Sequence, residues 1–560
     1  MPSLFHSSAT LTCKARQAAR RATVLMQVSF KPLKPGNYRL FVLYDPAIGN
    51  SSRHDTASRS GTGGNVALLA SDDLTASALV ASNGFPRTSS GFVGTSDGWT
   101  DLIADRQLDW NYDTAPDGNV LQVGELPLAT EAGQETSFTL ALGFGDSAAN
   151  AELTARTSLN LSFVAHTAAY ARGWHAYLRS LNPPPSLPSP LLRTQYNVSV
   201  MTVKAHEDKT FPGTFIASLT LPWGFDANAD EGGGGYHFVW ARDMYQQVTA
   251  MLAAGDRITA DRAVTWLFTR QQLPDGTFPQ TSKVDGTPET RGVQLDQTAF
   301  PLILAWTLGR TDNATWDGVR KAAEALVSRG PVTPQERWEE TGGYSNSTIP
   351  AEIAGLVAAS DIARQRGETA RAALWLGVAD EWQRSIEKWL FTTSGPYGDG
   401  RYYLRIDDDG DPNDGSERDF GNAAGVHKEN TVVDAGFLEL VRLGVKAPND
   451  PYVAESLPET DASIATDTPS GRVWHRYTFD GYGEKPDGSP WALNTPGTTG
   501  RAWPLLGARS VRVRACQSPH PETHRAQKQE SHGARPHRQQ VTCDNDLRAY
   551  QQPGQLRHSQ

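Results

Sequence analysis

The chain has 560 residues, a formal net charge of −10 and an isoelectric point near 5.7. That acidic balance argues against a nucleic-acid partner, which selects a basic face, and the sequence holds no apolar run long enough to predict a membrane span. The length allows two or three domains, and the three cysteines, Cys13, Cys516 and Cys543, exclude a disulfide framework or Cys-x-x-Cys metal site across the middle.

Residues 1–22 are left unassigned. They carry a basic cluster with no sustained apolar stretch before it, so no secretory signal is predicted and the compartment stays open. Residues 23–182 predict a β-sandwich. Thr23–Leu33, Tyr38–Pro46, Val66–Ser71, Leu121–Leu128 and Thr136–Phe144 are short runs rich in Val, Leu, Phe and Tyr, separated by polar turns. GNSSRHDTASRSGTGG, at 49–64, reads as one long loop. A helical stretch follows from Leu159 to Leu181, and the prolines at 183–185, 188 and 190 mark a stiff linker.

Residues 191–506 predict a helical domain, with helices over 191–208, 243–255, 259–272, 295–309, 316–329, 349–367, 369–390, 431–444 and 451–465. Thr259 is the expected cap of the third. Long loops carrying the unusual residues, such as GFDANADEGGGGYHFVWARD, lie between the helices. Paired helices with long loops at one end suggest an α/α barrel; no repeat of fixed period supports a solenoid. Residues 507–560 are rich in Arg, Gln, His, Ser and Pro, lack large apolar residues and predict disorder.

Three segments can carry chemistry. Gln335-Glu336-Arg337-Trp338-Glu339-Glu340 packs three acids around an indole in a loop. Crowded like charges in a less polar setting raise the pKa of one of them, as a general acid near neutral pH requires. Trp240-Ala241-Arg242-Asp243 opens a helix; Arg and Asp there can grip sugar hydroxyls and Trp240 offers a flat face. Trp474-His475-Arg476-Tyr477, followed by Asp480, offers another arginine. The acidic loop Asp407–Gly415 has oxygen ligands for Ca²⁺ without EF-hand spacing, so calcium stays open as the one cofactor considered.

Taken together, GGYHFVWARDMYQQVTAMLAAGD (234–256), RQQLPDGTFPQTSKVDGTP (270–288), GVQLDQTAFPLILAW (292–306), TPQERWEETGGYSNSTIPAEIAGL (333–356), VVDAGFLELVRLG (432–444) and HRYTFDGYGE (475–484) resemble family 15 glycoside hydrolases of the bacterial glucoamylase and glucodextranase branch. The resemblance implies a β-supersandwich followed by an (α/α)6 barrel. It also implies inverting exo-hydrolysis of α-1,4 or α-1,6 glucosidic bonds in a glucan or oligosaccharide, releasing β-glucose. By the same resemblance Glu339 matches the general acid, Glu340 a neighbouring sugar-binding carboxylate, and Arg242 and Asp243 the pair gripping the terminal glucose. Arg476 matches a further substrate arginine, Trp240 and Trp338 the aromatic walls, and Gln294 and Asp296 lie in a supporting loop.

The resemblance stops at Leu506. The general base expected near the end of such enzymes, in a Pro-Glu-Gln type of segment, finds no match; Glu522 and Glu530 lack its context. The barrel reads as short of about three helices and the sandwich as incomplete at its front. The composition change predicts a shifted reading frame near codon 507, and with it an impaired enzyme. A carbohydrate-binding remnant and a dextran or trehalose specificity are the alternatives.

Overall fold

The computed structural model describes residues 9–17, 21–50, 53–73, 75–184, 186–187, 189–219, 236–483, 485, 487 and 498–506. The expectations for the tail 507–560 and for a shortage of helices after 506 fall outside these residues. Two compact units are present, one over residues up to Leu181 and one over the described residues from Asn182.

The first unit is β structure. Its strands are β1 (Ala9–Gln17), β2 (Thr23–Pro32), β3 (Leu40–Tyr44), β4 (Asp55–Ser60), β5 (Ala67–Ser71), β6 (Ala76–Ala81) and β7 (Thr88–Phe92), then helix α1 (Gly98–Asp105), β8 (Thr114–Gly118), β9 (Val120–Leu126) and β10 (Thr136–Gly145), followed by α2 (Ala148–Leu159) and α3 (Phe163–Ser180). Seven strands pair in the order β1-β2-β10-β6-β5-β4-β8, and β3-β9-β7 form a second sheet. Side chains alternate between the two faces of a strand. Leu68, Leu79, Phe138 and Leu140 therefore enter one core with Tyr44 and Leu126 from the three-stranded sheet. Leu69, Ala78, Val80 and Ala141 enter another with Ala151 and Ala155 of α2. The close seat of α2 demands glycine on β10: a Cβ at Gly143 would lie 2.5 Å from the Ala151 carbonyl oxygen.

Several expectations change here. The long loop at 49–64 contains β4, whose polar DTASRS sequence hides a strand paired on both sides. β6 and α2 are rich in Ala and Ser, and give too little apolar contrast to show a period. A strand does precede residue 23, because β1 pairs with β2 along nine positions.

The second unit is helical: α4 (Pro190–Ala205), α5 (Ala241–Ala254), α6 (Arg257–Trp266), α7 (Leu295–Thr307), α8 (Asn313–Arg329), α9 (Thr348–Gln365), α10 (Thr369–Leu390), α11 (Leu438–Arg442) and α12 (Pro451–Ile464). Apolar coverage sorts them into layers. α7 buries 11 of its 13 residues and α9 buries 14 of 18, whereas α10 buries 6 of 22. α5, α7 and α9 pack side by side, and α6, α8 and α10 lie against them. This is the alternation of inner and outer helices in a toroid. Gly355 lets α9 approach α7, since its Cβ would sit 3.0 Å from the Ala299 Cβ.

Two local expectations are corrected. α6 begins at Arg257 and is capped by Asp256, whose carboxylate accepts the Thr259 N–H at 3.1 Å, so Thr259 is not its cap. The helix expected over 431–444 survives only as α11. Asp434 and Gly436 are held in an irregular loop, where a Cβ at Gly436 would fall 1.9 Å from Asn346 Oδ1.

Candidate active site

The inner helices α5, α7 and α9 each follow a loop that carries polar residues of the helical unit. Helix N-termini carry unpaired N–H groups and partial positive charge, which favours carboxylates in the first turn. Asp243 stands in the first turn of α5 and Asp296 in that of α7. The segment 334–347 leads into α9.

Glu339 is where these loops meet. Its Oε1 accepts from Trp240 Nε1 at 2.6 Å, Arg242 Nη2 at 3.1 Å and Gln294 Nε2 at 3.1 Å. Among the described residues no group bonds Oε2, and the side chain keeps 27% of its surface exposed. The Glu339 backbone is left-handed, with φ 67°. A non-glycine residue pays about 1–2 kcal/mol there, and such positions gather at functional sites. The loop is pinned by Gln335 Nε2 donating to the Glu339 carbonyl at 2.8 Å and by Glu339 N–H donating to the Glu336 carbonyl at 2.9 Å.

Arg242 is not paired with its sequence neighbour. Its Nη1 donates to Gln294 Oε1 at 2.7 Å and to Asp296 Oδ2 at 3.0 Å, and its Nη2 reaches Glu339. Gln294 is fully buried and orients both Arg242 and Glu339, while Gln297 Nε2 donates to its Oε1 at 2.7 Å. Asp243 accepts no side-chain hydrogen bond from the described residues. Burial pushes its carboxyl up to about 6; Arg242 opposes this, while Glu339 and Asp296 add to it. An Asp that charges only above about 6 and accepts no side-chain hydrogen bond from the described residues can accept one from a ligand hydroxyl. Binding of maltotriose to the Glu339→Gln variant is therefore expected to weaken as pH falls through this range. The step lies at or somewhat below 6, because the Glu339 charge is gone, and disappears when Asp243→Asn is added. Isothermal titration at pH 4.5 to 7.5 reads both.

Glu340 and Arg476, the other expected sugar contacts, carry protein partners of their own. Glu340 Oε1 accepts from Arg476 Nη2 at 2.8 Å and Asn422 Nδ2 at 2.6 Å; its Oε2 accepts from Arg405 Nη2 at 2.7 Å and the Tyr477 hydroxyl at 2.5 Å. Its carboxylate is 2% exposed. Burial works to raise this carboxyl, but Arg476 and Arg405 overcome it and hold it below the usual carboxylate range. Its four protein donors tie the loop to Arg405, Asn422, Arg476 and Tyr477. Arg476 is likewise buried, bidentate to Asp480 at 2.6 and 2.9 Å and stacked over Trp338 and Tyr482.

The carboxyl of the acidic segment that rises is Glu336: burial dominates, and Glu340 adds to it against Arg405. Trp240 is 7% exposed and meets Tyr236 edge to face. Trp338 donates to Asp434 at 3.2 Å and lies against Arg337 and Arg476.

Arg405, Asn422 and Asp434 were given no role by the sequence reading; for Arg405, a lone Arg in the apolar run Tyr402–Ile406 was the available signal. The acidic loop 407–415 uses its carboxylates internally: Asp407, Asp409 and Asp411 accept the N–H of Gly410, Asp411 and Asn413, as turn-forming Asp residues do. Among the described residues no group of three His, Cys, Asp or Glu is placed to hold a metal, and no helix is long and apolar enough to cross a membrane.

The profile of the glycosyl hydrolases family 15 matches residues 192–273 and 269–506, and that of glucodextranase domain N matches residues 10–179. A glucoamylase of Clostridium sp. (strain G0005) is 37% identical over 490 residues, covering 87% of this chain and 68% of that protein. The chain belongs to glycoside hydrolase family 15. A bacterial glucoamylase crystallised with acarbose superposes with a TM-score of 0.83 at 35% identity, covering 91% of this chain and 74% of that one. This family 15 hydrolase thus has the expected architecture, a β-supersandwich followed by an (α/α)6 barrel. In sequence and fold it is a glucoamylase-like glycosidase.

Proposed function

We propose that the chain acts at the non-reducing ends of α-glucans and cleaves terminal α-1,4 bonds, and α-1,6 bonds more slowly, with inversion. The observation that carries this is Glu339: one oxygen fixed by three donors, the other open. In this reading Oε2 carries the proton and gives it to the glycosidic oxygen as the bond breaks. Asp243 and Arg242 hold the terminal glucose, while Glu340, Arg405 and Arg476 keep the loop in place. The glucoamylase crystallised with acarbose, an oligosaccharide analogue, supports the substrate class.

Inversion needs a second carboxylate about 6.5–9.5 Å away, with water between. No described residue has the context expected of that base, and the family 15 match ends at 506. We therefore infer that this 560-residue polypeptide binds glucan ends and turns them over slowly. The same observation favours the second reading, a carbohydrate-binding protein without turnover.

Purified protein with maltotetraose, followed by proton NMR, tests both. Slow appearance of β-glucose is expected. Initial α-glucose would overturn inversion, and turnover near the 10 s⁻¹ typical of enzymes would overturn the impairment. Faster cleavage of isomaltose or trehalose would move the specificity to the corresponding relatives.

A further inference from the structure

The first unit holds a cavity of about 320 Å³ that none of the chemistry above uses. Its lining is mostly polar, with the buried Phe85 and Leu108 among the residues beneath it. Trp110 forms a wall, and Arg59, Arg87 and Asn111 line the rest. Pockets from about 300 Å³ upward hold small ligands when apolar surface meets a few placed polar groups.

The Trp110 wall is held in place from behind. The buried Asp101 carboxylate accepts the N–H groups of both Asp109 and Trp110 at 2.7 Å. Ser90 N–H donates to the Tyr112 carbonyl at 2.9 Å and ties the same loop to β7. Tyr112, 46% exposed, stands beside Trp110 with ring centroids 6.3 Å apart. Carboxylates meet both cations. Arg59 is paired with Asp113 at 2.5 Å, Arg87 faces Glu125 at 3.9 Å, and Asp109 also lines the cavity. A rim without excess positive charge disfavours a bare anion. An indole wall with guanidinium and amide groups at its edge suits a neutral polyhydroxyl ring, which has one apolar face and a polar rim.

We propose that this cavity is a second, non-catalytic saccharide site that holds an internal stretch of an α-glucan chain. The choice of α-glucan rests on the function proposed above. A hold on the polymer in one unit raises the effective concentration of chain ends for the other.

β-Cyclodextrin is the probe, because it is an α-1,4-glucan without an end. Isothermal titration of the full 560-residue chain saturated with acarbose should still detect β-cyclodextrin binding. Trp110→Ala should weaken it at least tenfold, and Arg87→Ala, at a side chain 59% exposed, should weaken it severalfold without loss of thermal stability. Arg242→Ala should remove acarbose binding and leave β-cyclodextrin binding intact. Absence of binding at millimolar β-cyclodextrin, competition by acarbose, or indifference to both Trp110→Ala and Arg87→Ala would overturn the site. Binding of β-cyclodextrin with no binding of acarbose would instead remove the proposed function and leave the cavity a saccharide site.

Discussion

Replacing Glu339 by Gln is expected to lower glucose release from maltotriose by about 10²–10⁴-fold, the usual contribution of a positioned general acid. The change is nearly isosteric. Gln keeps an oxygen for the Trp240, Arg242 and Gln294 donors, so the loop and the binding of oligosaccharide should persist. What is lost is an acidic proton on the second atom. Whether proton donation is the defect can be read from the leaving group. α-Glucosyl fluoride departs without a proton, so its hydrolysis should fall far less than that of maltotriose. A coupled glucose assay on both substrates measures this. Equal losses on both would assign Glu339 to binding, and unchanged maltotriose cleavage would remove it from the chemistry.

The largest effect on stability is expected from Arg405→Met. One nitrogen of Arg405 bridges Glu336 at 2.8 Å and Glu340 at 2.7 Å, with all three side chains 1–2% exposed. The guanidinium also lies 3.7 Å from the centre of the Tyr477 ring. Methionine fills much of the volume but leaves Glu336 without its cation, beside a Glu340 that keeps only Arg476. Breaking a buried pair in this way costs about 3–5 kcal/mol. Urea unfolding at pH 7 should show that loss, and adding Glu336→Gln should recover part of it. The pH dependence has a sign. Glu340 is held below its unfolded value, so its contribution is present above that value and fades as pH falls through the folded one. Glu336 is raised, so its penalty grows as pH rises past the unfolded value. The variant should therefore be closest to the parent in acid. A deficit independent of pH would mean that packing, and not charge, is what Arg405 supplies.

Sequence order made one half of the site legible. Arg242 and Asp243 sit where an apolar helix begins, so charge at a helix mouth marked them; Glu339 stood out in a crowded acidic loop, and Gln294 and Asp296 were named by the family resemblance. The other half depends on pairs far apart in the chain: Glu340 with Asn422, Tyr477 and Arg476 is assembled over separations of 82 to 137 residues. No local period encodes such pairings. The sequence therefore presents Glu340 and Arg476 as separate charges and gives no sign that they pair with each other in a buried network. Small residues limited the fold reading in the same way. β6 and the face of α2 packed on the sheet carry small residues such as Ala78, Ala151 and Ala155, where a sheet and a helix press close together, and that removes the apolar contrast by which elements are recognised.

The left-handed backbone at Glu339 sets two demands against each other at one position. Asn or Gly would sit in that conformation with less strain than Glu, yet neither could donate a proton to a glycosidic oxygen. A search for heat-resistant variants scored on folding alone would thus drift toward discarding the acid. Evolution of a hardier form of this chain would have to find its gains elsewhere and leave this one unfavourable torsion untouched.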